Sequence, residues 1–270
     1  MVSALITGCA SQPEAPVLNK LTGSALAITT GRLDALLPVD VVLLGEQHDA
    51  KEHQLIHSQV IALLAERGLL AAVALEMADT GVTTAGLHPS STEQQTKNAL
   101  QWNDKSWPWE AYGPAVMTAV RAGVPVLGAN LPRDEMRPKM QDSALDGQLP
   151  GPALKAQQQL IRIGHCGLLP ENRITPMTRI QIARDISMAR TMEQAALPGK
   201  TVILLAGSGH VNRELGVARH LPPGAAFKAV LLLAGPAPAA ADAAFDAIWQ
   251  TPALPEQDHC AGLQEKLKTN

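Results

Sequence analysis

The stretch Val41-Val42-Leu43-Leu44-Gly45-Glu46-Gln47-His48-Asp49 opens on four branched aliphatic residues and closes on four polar ones. Apolar side chains in a row, with no polar alternation, suit a strand covered on both faces. Gly45 ends the run. Beyond it, over residues 52–67, Leu55, Ile56, Val60, Leu63 and Leu64 recur at helical spacing, and Gly68 supplies a stop. Ala72-Val73-Ala74-Leu75-Glu76 reads as a second strand, and residues 109–122 as a helix entered from Pro108 and closed by Gly123. Val124-Pro125-Val126-Leu127-Gly128 reads as a third strand and residues 201–206 as a fourth. A short helix is expected over 211–220 and a fifth strand over 226–233. Near-continuous apolar strands alternating with helices predict an α/β fold, a mostly parallel central sheet with helices on both faces.

The remaining segments set the domain organisation. Residues 131–200 carry helical patterns, broken early by Pro132, Pro138, Pro150 and Pro152, and no strong strand. They are expected to form a helical insertion over the C-terminal edge of the strands. Residues 236–270 are Ala/Pro-rich and then polar, and are expected to be a loosely attached tail. Residues 1–38 read as a signal remnant and tether, which leaves 39–235 as one α/β domain. The chain of 270 residues is 46% apolar and 17% charged, a globular profile. Its net charge of −3, without a long Lys/Arg run, argues against nucleic acid as a partner. No apolar stretch reaches the ~18 residues of a membrane span.

Ile6-Thr7-Gly8-Cys9 resembles a bacterial lipobox, in which a signal peptidase cuts before a cysteine that takes lipid. Ser11-Gln12-Pro13-Glu14-Ala15-Pro16 suits the tether that would follow. The apolar run before Cys9 is shorter than the ~7–15 residues of a signal core and has no basic start, as a start codon placed too late would produce. The other reading is an ordinary frayed N-terminus. With the lipobox, Ala10 resembles an outer-membrane sorting signal of Gram-negative bacteria, periplasmic or surface-facing. Membrane contact is then expected only through the lipid anchor. Cys9, Cys166 and Cys260 follow no zinc-site spacing. Either Cys166 and Cys260 pair in an oxidising periplasm, or Cys166 is a small buried residue.

In a parallel α/β sheet, functional groups gather where strands end. The expected strand ends here carry Glu46, Gln47, His48 and Asp49; Glu76; Asn130; and Gly207-Ser208-Gly209-His210. Two carboxylates, two imidazoles and an amide would converge at one edge. His53 and His57 stand four apart on the first helix, a spacing that holds a metal or simply faces solvent.

Taken in order, these segments resemble a known family. The match comprises residues 43–49, Glu76, Trp107-Pro108-Trp109 with Tyr112, and Gly128-Ala129-Asn130. It continues through His165-Cys166, the pattern Met177, Gln181, Arg184-Asp185 and Met188-Ala189, and residues 205–211. Over residues 39–233 they resemble the ChaN family of haem-binding lipoproteins, within a wider group that includes Tiki proteases and erythromycin esterases. The resemblance implies a lipoprotein of haem and iron uptake, dimeric with haems stacked at the interface. It also implies an axial tyrosine on the iron and contact with the uptake machinery of the cell envelope.

Only 3% of the chain is aromatic, yet Trp102, Trp107, Trp109 and the sole tyrosine, Tyr112, fall within residues 102–112. A porphyrin needs a flat apolar surface, and a phenolate is a hard anionic ligand that favours ferric iron. For the axial tyrosine that the resemblance implies, Tyr112 is the one candidate, and it is the expected haem-iron ligand, with Trp107 and Trp109 against the macrocycle. Its phenol would have to ionise far below the usual pKa of about 10, helped by the metal or by Arg121 or Arg133. The alternative is that the tryptophans cap the core and Tyr112 hydrogen-bonds internally. His165 is expected as an axial or neighbouring partner, or as a packing residue. On a helix over 173–194, Arg184 and Met188 either line the porphyrin, with Arg184 on a propionate, or serve a salt bridge and the core. Two other functions compete: a metal-dependent hydrolase built on Glu46, His48, Glu76 and His210, and an envelope scaffold binding a protein through the aromatic patch. No Gly-x-Ser-x-Gly elbow or His-Glu-x-x-His helix is present.

Overall fold

The computed structural model describes residues 23–237, 243–258 and 260–262. Cys9 and the lipobox lie outside them. Six strands, β1 (Val41–Glu46), β2 (Leu70–Asp79), β3 (Val126–Asn130), β4 (Thr201–Gly207), β5 (Phe227–Ala234) and β6 (Ala247–Thr251), form one sheet in the order β3-β2-β4-β1-β5-β6. Every pairing is parallel. β1 lies between β4 and β5 with all six residues buried, the position its unbroken apolar run demands. One face is covered by α1 (Gly23–Asp34), α2 (Lys51–Glu66) and α4 (Trp109–Arg121), which supply Leu33, Ile61, Leu64, Trp109 and Val116 to the larger core. The other face is covered by α7 (Glu171–Ala195) through Met188, Ala189 and Met192. The predicted α/β architecture is present.

Three boundaries differ from expectation. First, residues 131–200 are more than an insertion over the strand ends, because α7 covers a sheet face. Its long run conceals this: polar residues on the outer side dilute the buried stripe. Second, the tail adds a strand. β6 pairs with β5 and buries Trp249. At five residues, after an Ala/Pro-rich stretch, it offers too little period to read. Third, α1 begins inside the expected tether, and Leu33 and Leu36 join the core.

Strand ends also run further than the sequence suggests. Gly45 sits inside β1 because a Cβ there would collide with the Val211 side chain. β3 starts only at Val126, since Pro125 has no N–H to give a ladder; its carbonyl accepts from Val73 N–H at 3.0 Å. At Gly128 a Cβ would collide with the Asp79 carbonyl oxygen, so only glycine lets the end of β2 cross β3.

Between β3 and α7 lie α5 (Arg133–Gln141), a 3-10 turn (Ser143–Gly147) and α6 (Gly151–Gly164). α6 and α7 form a hairpin beyond the C-terminal ends of the strands. Gln181 faces His210 just past β4, so the start of α7, ten residues earlier, projects roughly 15 Å further out. The hairpin turn is left-handed at Cys166 (φ 57) and Gly167 (φ 67). Cys166 is disulfide-bonded to Cys260, 94 residues away, which tethers the segment after β6 to the tip of the hairpin.

Candidate functional site

The ends of β1, β2 and β4 bring Glu46, His48, Glu76 and His210 together, and α2, α4 and α7 add His57, Tyr112 and Asp185. Glu46, His57, Asp185 and Tyr112 are almost wholly buried, and Glu76 and His210 nearly so. His48 alone reaches solvent, with its side chain 40% exposed. Its Nδ1–H donates to Glu46 Oε1 at 2.7 Å, and the Tyr112 hydroxyl donates to the same oxygen at 2.6 Å. His57 Nδ1 lies 3.6 Å from Glu46 Oε2, an atom with no hydrogen-bond partner among the described residues. Glu76 faces both imidazoles, with Oε1 3.3 Å from His210 Nε2 and Oε2 4.0 Å from His48 Nε2. It also accepts the Gly207 N–H at 2.7 Å. Asp185 closes the row, 2.6 Å from His210 Nδ1, while the Gln181 amide nitrogen lies 3.0 Å from that ring nitrogen. At Gly207 a Cβ would come within 2.8 Å of His48 Nε2, so this glycine makes the room between imidazole and strand.

The electrostatics follow from this packing. Burial draws the His210 pKa down, but Glu76 and Asp185 on either side outweigh it and hold the ring protonated, up to about 10. Burial would raise Glu76; the His210 charge and hydrogen bond, His48 and the Gly207 N–H hold it down at about 2. Burial keeps Asp185 above the usual carboxylate value. For His48, desolvation is overcome by the Glu46 hydrogen bond and by the charges of Glu76 and Glu46, and the pKa rises. His53 behaves oppositely: buried, with Nδ1 accepting from the Gln47 N–H at 3.0 Å, it is held neutral, down to about 4. The helix pair His53/His57 is therefore internal, and neither ring faces solvent.

Tyr112 differs from the expectation placed on it. Its side chain is 2% exposed and its hydroxyl points inward to Glu46. Burial, and then the Glu46 charge, push its pKa up, and the hydroxyl hydrogen is turned toward Glu46 rather than toward solvent. The physical reason is local. Trp102 and Trp107 pack around the ring, with centroids 6.0 and 5.8 Å away. The aromatic group packs on itself instead of offering a flat face. Trp109 is buried, stands edge-on to Trp102 and donates its indole N–H to Glu93. Trp107 remains half-buried and edge-on to His48 at 4.9 Å. Met188 is wholly buried in the core beneath α7. Arg184 stands near Asp79 and Asp185, its Nε buried without a partner among the described residues. The expected porphyrin wall of Trp109, Tyr112 and Met188 is thus interior.

His165 is placed differently. It caps the C-terminus of α6 at the hairpin tip, half-buried. Its Nδ1–H donates to the Ile161 carbonyl at 2.8 Å, so in the neutral ring the lone pair lies on Nε2. Nearby on α6, Leu160 and Ile163 are 41% and 61% exposed, two of the five large apolar side chains that the described residues leave outside. Elsewhere, a groove of about 1140 Å³ runs along the other flank of α7, over Ala72, Leu127, Ala183, Ser187, Arg190 and His220. None of the tryptophans lines it.

A family model settles the relationship. The family described as "Haem-binding uptake, Tiki superfamily, ChaN" matches residues 32–221. The chain belongs to this family. Among solved structures, it is similar to ChaN of Campylobacter jejuni, described as "Cofacial heme binding to ChaN of Campylobacter jejuni". That likeness has 25% identity and a TM-score of 0.62, covering 77% of this chain and 87% of that one. None of the curated proteins matches. Sequence reasoning named Glu46, His48, Glu76 and His210 but assigned no role to Asp185 or to the bond between Tyr112 and Glu46. Asp185 was visible as the acid beside Arg184, and its spacing from Gln181 on one helix face was the available signal.

Proposed function

We propose that this chain is a haem-binding protein of haem uptake that holds the iron through His165 Nε2 on the exposed α6–α7 tip. One observation carries the reading: an imidazole at the end of α6 whose Nδ1–H is tied to a carbonyl, which leaves Nε2 as its lone pair. A haem iron needs one directed lone pair, which this imidazole offers, and the exposed Leu160 and Ile163 lie within the last two turns of the same helix. Family membership and the cofacially haem-binding ChaN structure support the ligand class. Cofacial haems also favour a projecting tip over a deep pocket, with two copies of the chain meeting there as a homodimer. Ferric haem is the form an uptake protein takes from an oxidising environment. Cys9 is read as the lipid anchor that keeps the protein at the outer membrane.

The test is a haem titration followed at the Soret band. His165→Ala should weaken ferric-haem binding at least tenfold, whereas Tyr112→Phe should leave the spectrum unchanged. Loss of binding in Tyr112→Phe would restore the tyrosine ligand and overturn the histidine. Loss in His220→Ala alone would place haem in the α7 groove. Anchoring fails if Cys9→Ser still fractionates with membranes.

A second reading rests on the strand-end cluster. A half-exposed His48 backed by the buried Glu46 carboxylate has the arrangement of a general base and the group that orients it. Among the described residues no three His, Cys, Asp or Glu side chains are grouped as metal ligands. In this reading His48 itself takes the proton from water as it attacks an ester or amide.

A further inference from the structure

We propose that His57 is a positioning residue that anchors Glu46 from the interior, and so fixes His48 with its Nε2 free to take a proton. This deepens the second reading above, in which His48 is the base, and rests on it. Two imidazoles meet one carboxylate here, one from each side. His48, with its side chain 40% exposed, holds Glu46 Oε1 through Nδ1–H at 2.7 Å. His57, on α2, has its side chain 1% exposed, and its Nδ1 lies 3.6 Å from Glu46 Oε2. The Tyr112 hydroxyl also donates to Oε1, at 2.6 Å, so both of these hydrogen bonds fall on one oxygen. Oε2 is buried without a hydrogen-bond partner among the described residues. A carboxylate held by one oxygen turns readily about its last torsion, which has only broad, two-fold preferences. A donor on the second oxygen removes that freedom.

The His57 ring supplies that donor. Its Nε2 is buried without a partner among the described residues. A proton there would leave a buried donor unsatisfied and set the Nδ1 lone pair against a carboxylate oxygen. A proton on Nδ1 faces Oε2 and leaves only an unpaired acceptor, the lesser cost. His57 is therefore the Nδ1–H tautomer. Burial, aided by the nearby His48 and opposed by Glu46, holds its pKa down, so of the two rings it is the exposed one that takes a proton. His53, one turn earlier on the same helix, is the opposite tautomer. Its Nδ1 accepts the Gln47 N–H at 3.0 Å, which puts the proton on Nε2, 3.1 Å from the Thr251 hydroxyl. With Glu46 fixed, His48 keeps its proton on Nδ1. Its lone pair then stays on Nε2 beside Gly207, where the missing Cβ leaves room for the ring.

Imidazole nitrogen shifts, read by NMR in full-length, haem-free protein at alkaline pH, report which nitrogen carries the proton in each neutral ring. The wild type should show Nδ1–H on His48 and His57 and Nε2–H on His53. In His57→Leu, His48 should become a mixture of tautomers, while an unchanged His53 shows that the fold around α2 is intact. With p-nitrophenyl acetate, His57→Leu should lose about tenfold in kcat with KM within about twofold, and His57→Asn, whose amide nitrogen stands in for Nδ1, should recover to within about threefold of wild type. An Nε2–H tautomer on His57 in the wild type overturns the proposal. So does an unchanged His48 tautomer in His57→Leu, or an Asn variant as impaired as the Leu variant, since the effect is then packing alone. If His57→Leu disturbs His53, the wild-type tautomer of His57 and the Asn variant decide in its place. If His48→Asn turns over the ester as the wild type does, or neither protein turns it over, the base reading fails. The nitrogen shifts then still decide whether His57 anchors Glu46.

Discussion

At the scale of single residues, burial decides which groups can act. Tyr112 and His165 were both read as iron partners, and their environments separate them. The phenol is enclosed by Trp102 and Trp107 and bonded to a carboxylate, while the imidazole keeps a free nitrogen at a projecting tip. His48 is the one member of the buried cluster that solvent reaches, and so the residue on which activity would turn. If the cluster hydrolyses an ester, His48→Asn should lower kcat/KM by about 100-fold or more, the usual range for a positioned base. Wild-type activity should fall as pH drops through a value above 6.5, because Glu46 and Glu76 favour the protonated ring. Equal turnover by the variant, or no turnover by either protein on a panel of esters, would remove this reading. The strand-end carboxylates and imidazoles were legible from sequence because each follows an apolar run. The bond between Tyr112 and Glu46 was not, since it joins residues 66 apart.

At the scale of elements, long buried runs announced themselves and short or mixed ones did not. β1 and β4 were clear because parallel strands covered on both faces need no polar alternation. β6 has five residues with only Trp249 fully buried, and it pairs on one side only. Its contribution is nonetheless measurable. Trp249 packs into the core formed with α1 and α2 and lies under Arg32, 5.9 Å from the ring centroid. Trp249→Ala should cost about 3–5 kcal/mol of unfolding free energy, the range for removing a buried aromatic side chain. Urea denaturation tests this. A loss below ~1 kcal/mol would mean that the tail is attached as loosely as its composition suggests.

At the scale of the whole molecule, buried groups of opposite sign set how stability varies with pH. His53 has its pKa depressed from 6.5 to about 4, so its contribution is complete above 6.5 and is lost as pH falls toward 4. Glu76, lowered to about 2, contributes above its ordinary 4.5 and loses that as pH falls through 2. His210, raised to about 10, contributes fully below 6.5 and loses it as pH climbs through 10. Asp185, raised to about 6, works the other way, contributing below its ordinary 3.8 and losing that as pH climbs through 6. The His53 share is therefore read as a difference: the urea midpoint of His53→Gln should depend on pH between 4 and 6.5 differently from that of the wild type, lacking the loss on the acid side, while both decline toward pH 10. The same pH dependence in both proteins between pH 4 and 6.5 would contradict the buried neutral histidine. By itself the sequence determined that the chain builds a parallel α/β sheet with acids and imidazoles at the strand ends, because hydrophobic period and strand termination are local properties. Only the tertiary structure decided that Tyr112 turns inward, that Cys166 meets Cys260 and that His165 stands at an exposed tip. Those outcomes depend on which distant surfaces exclude water together, and no local pattern encodes that.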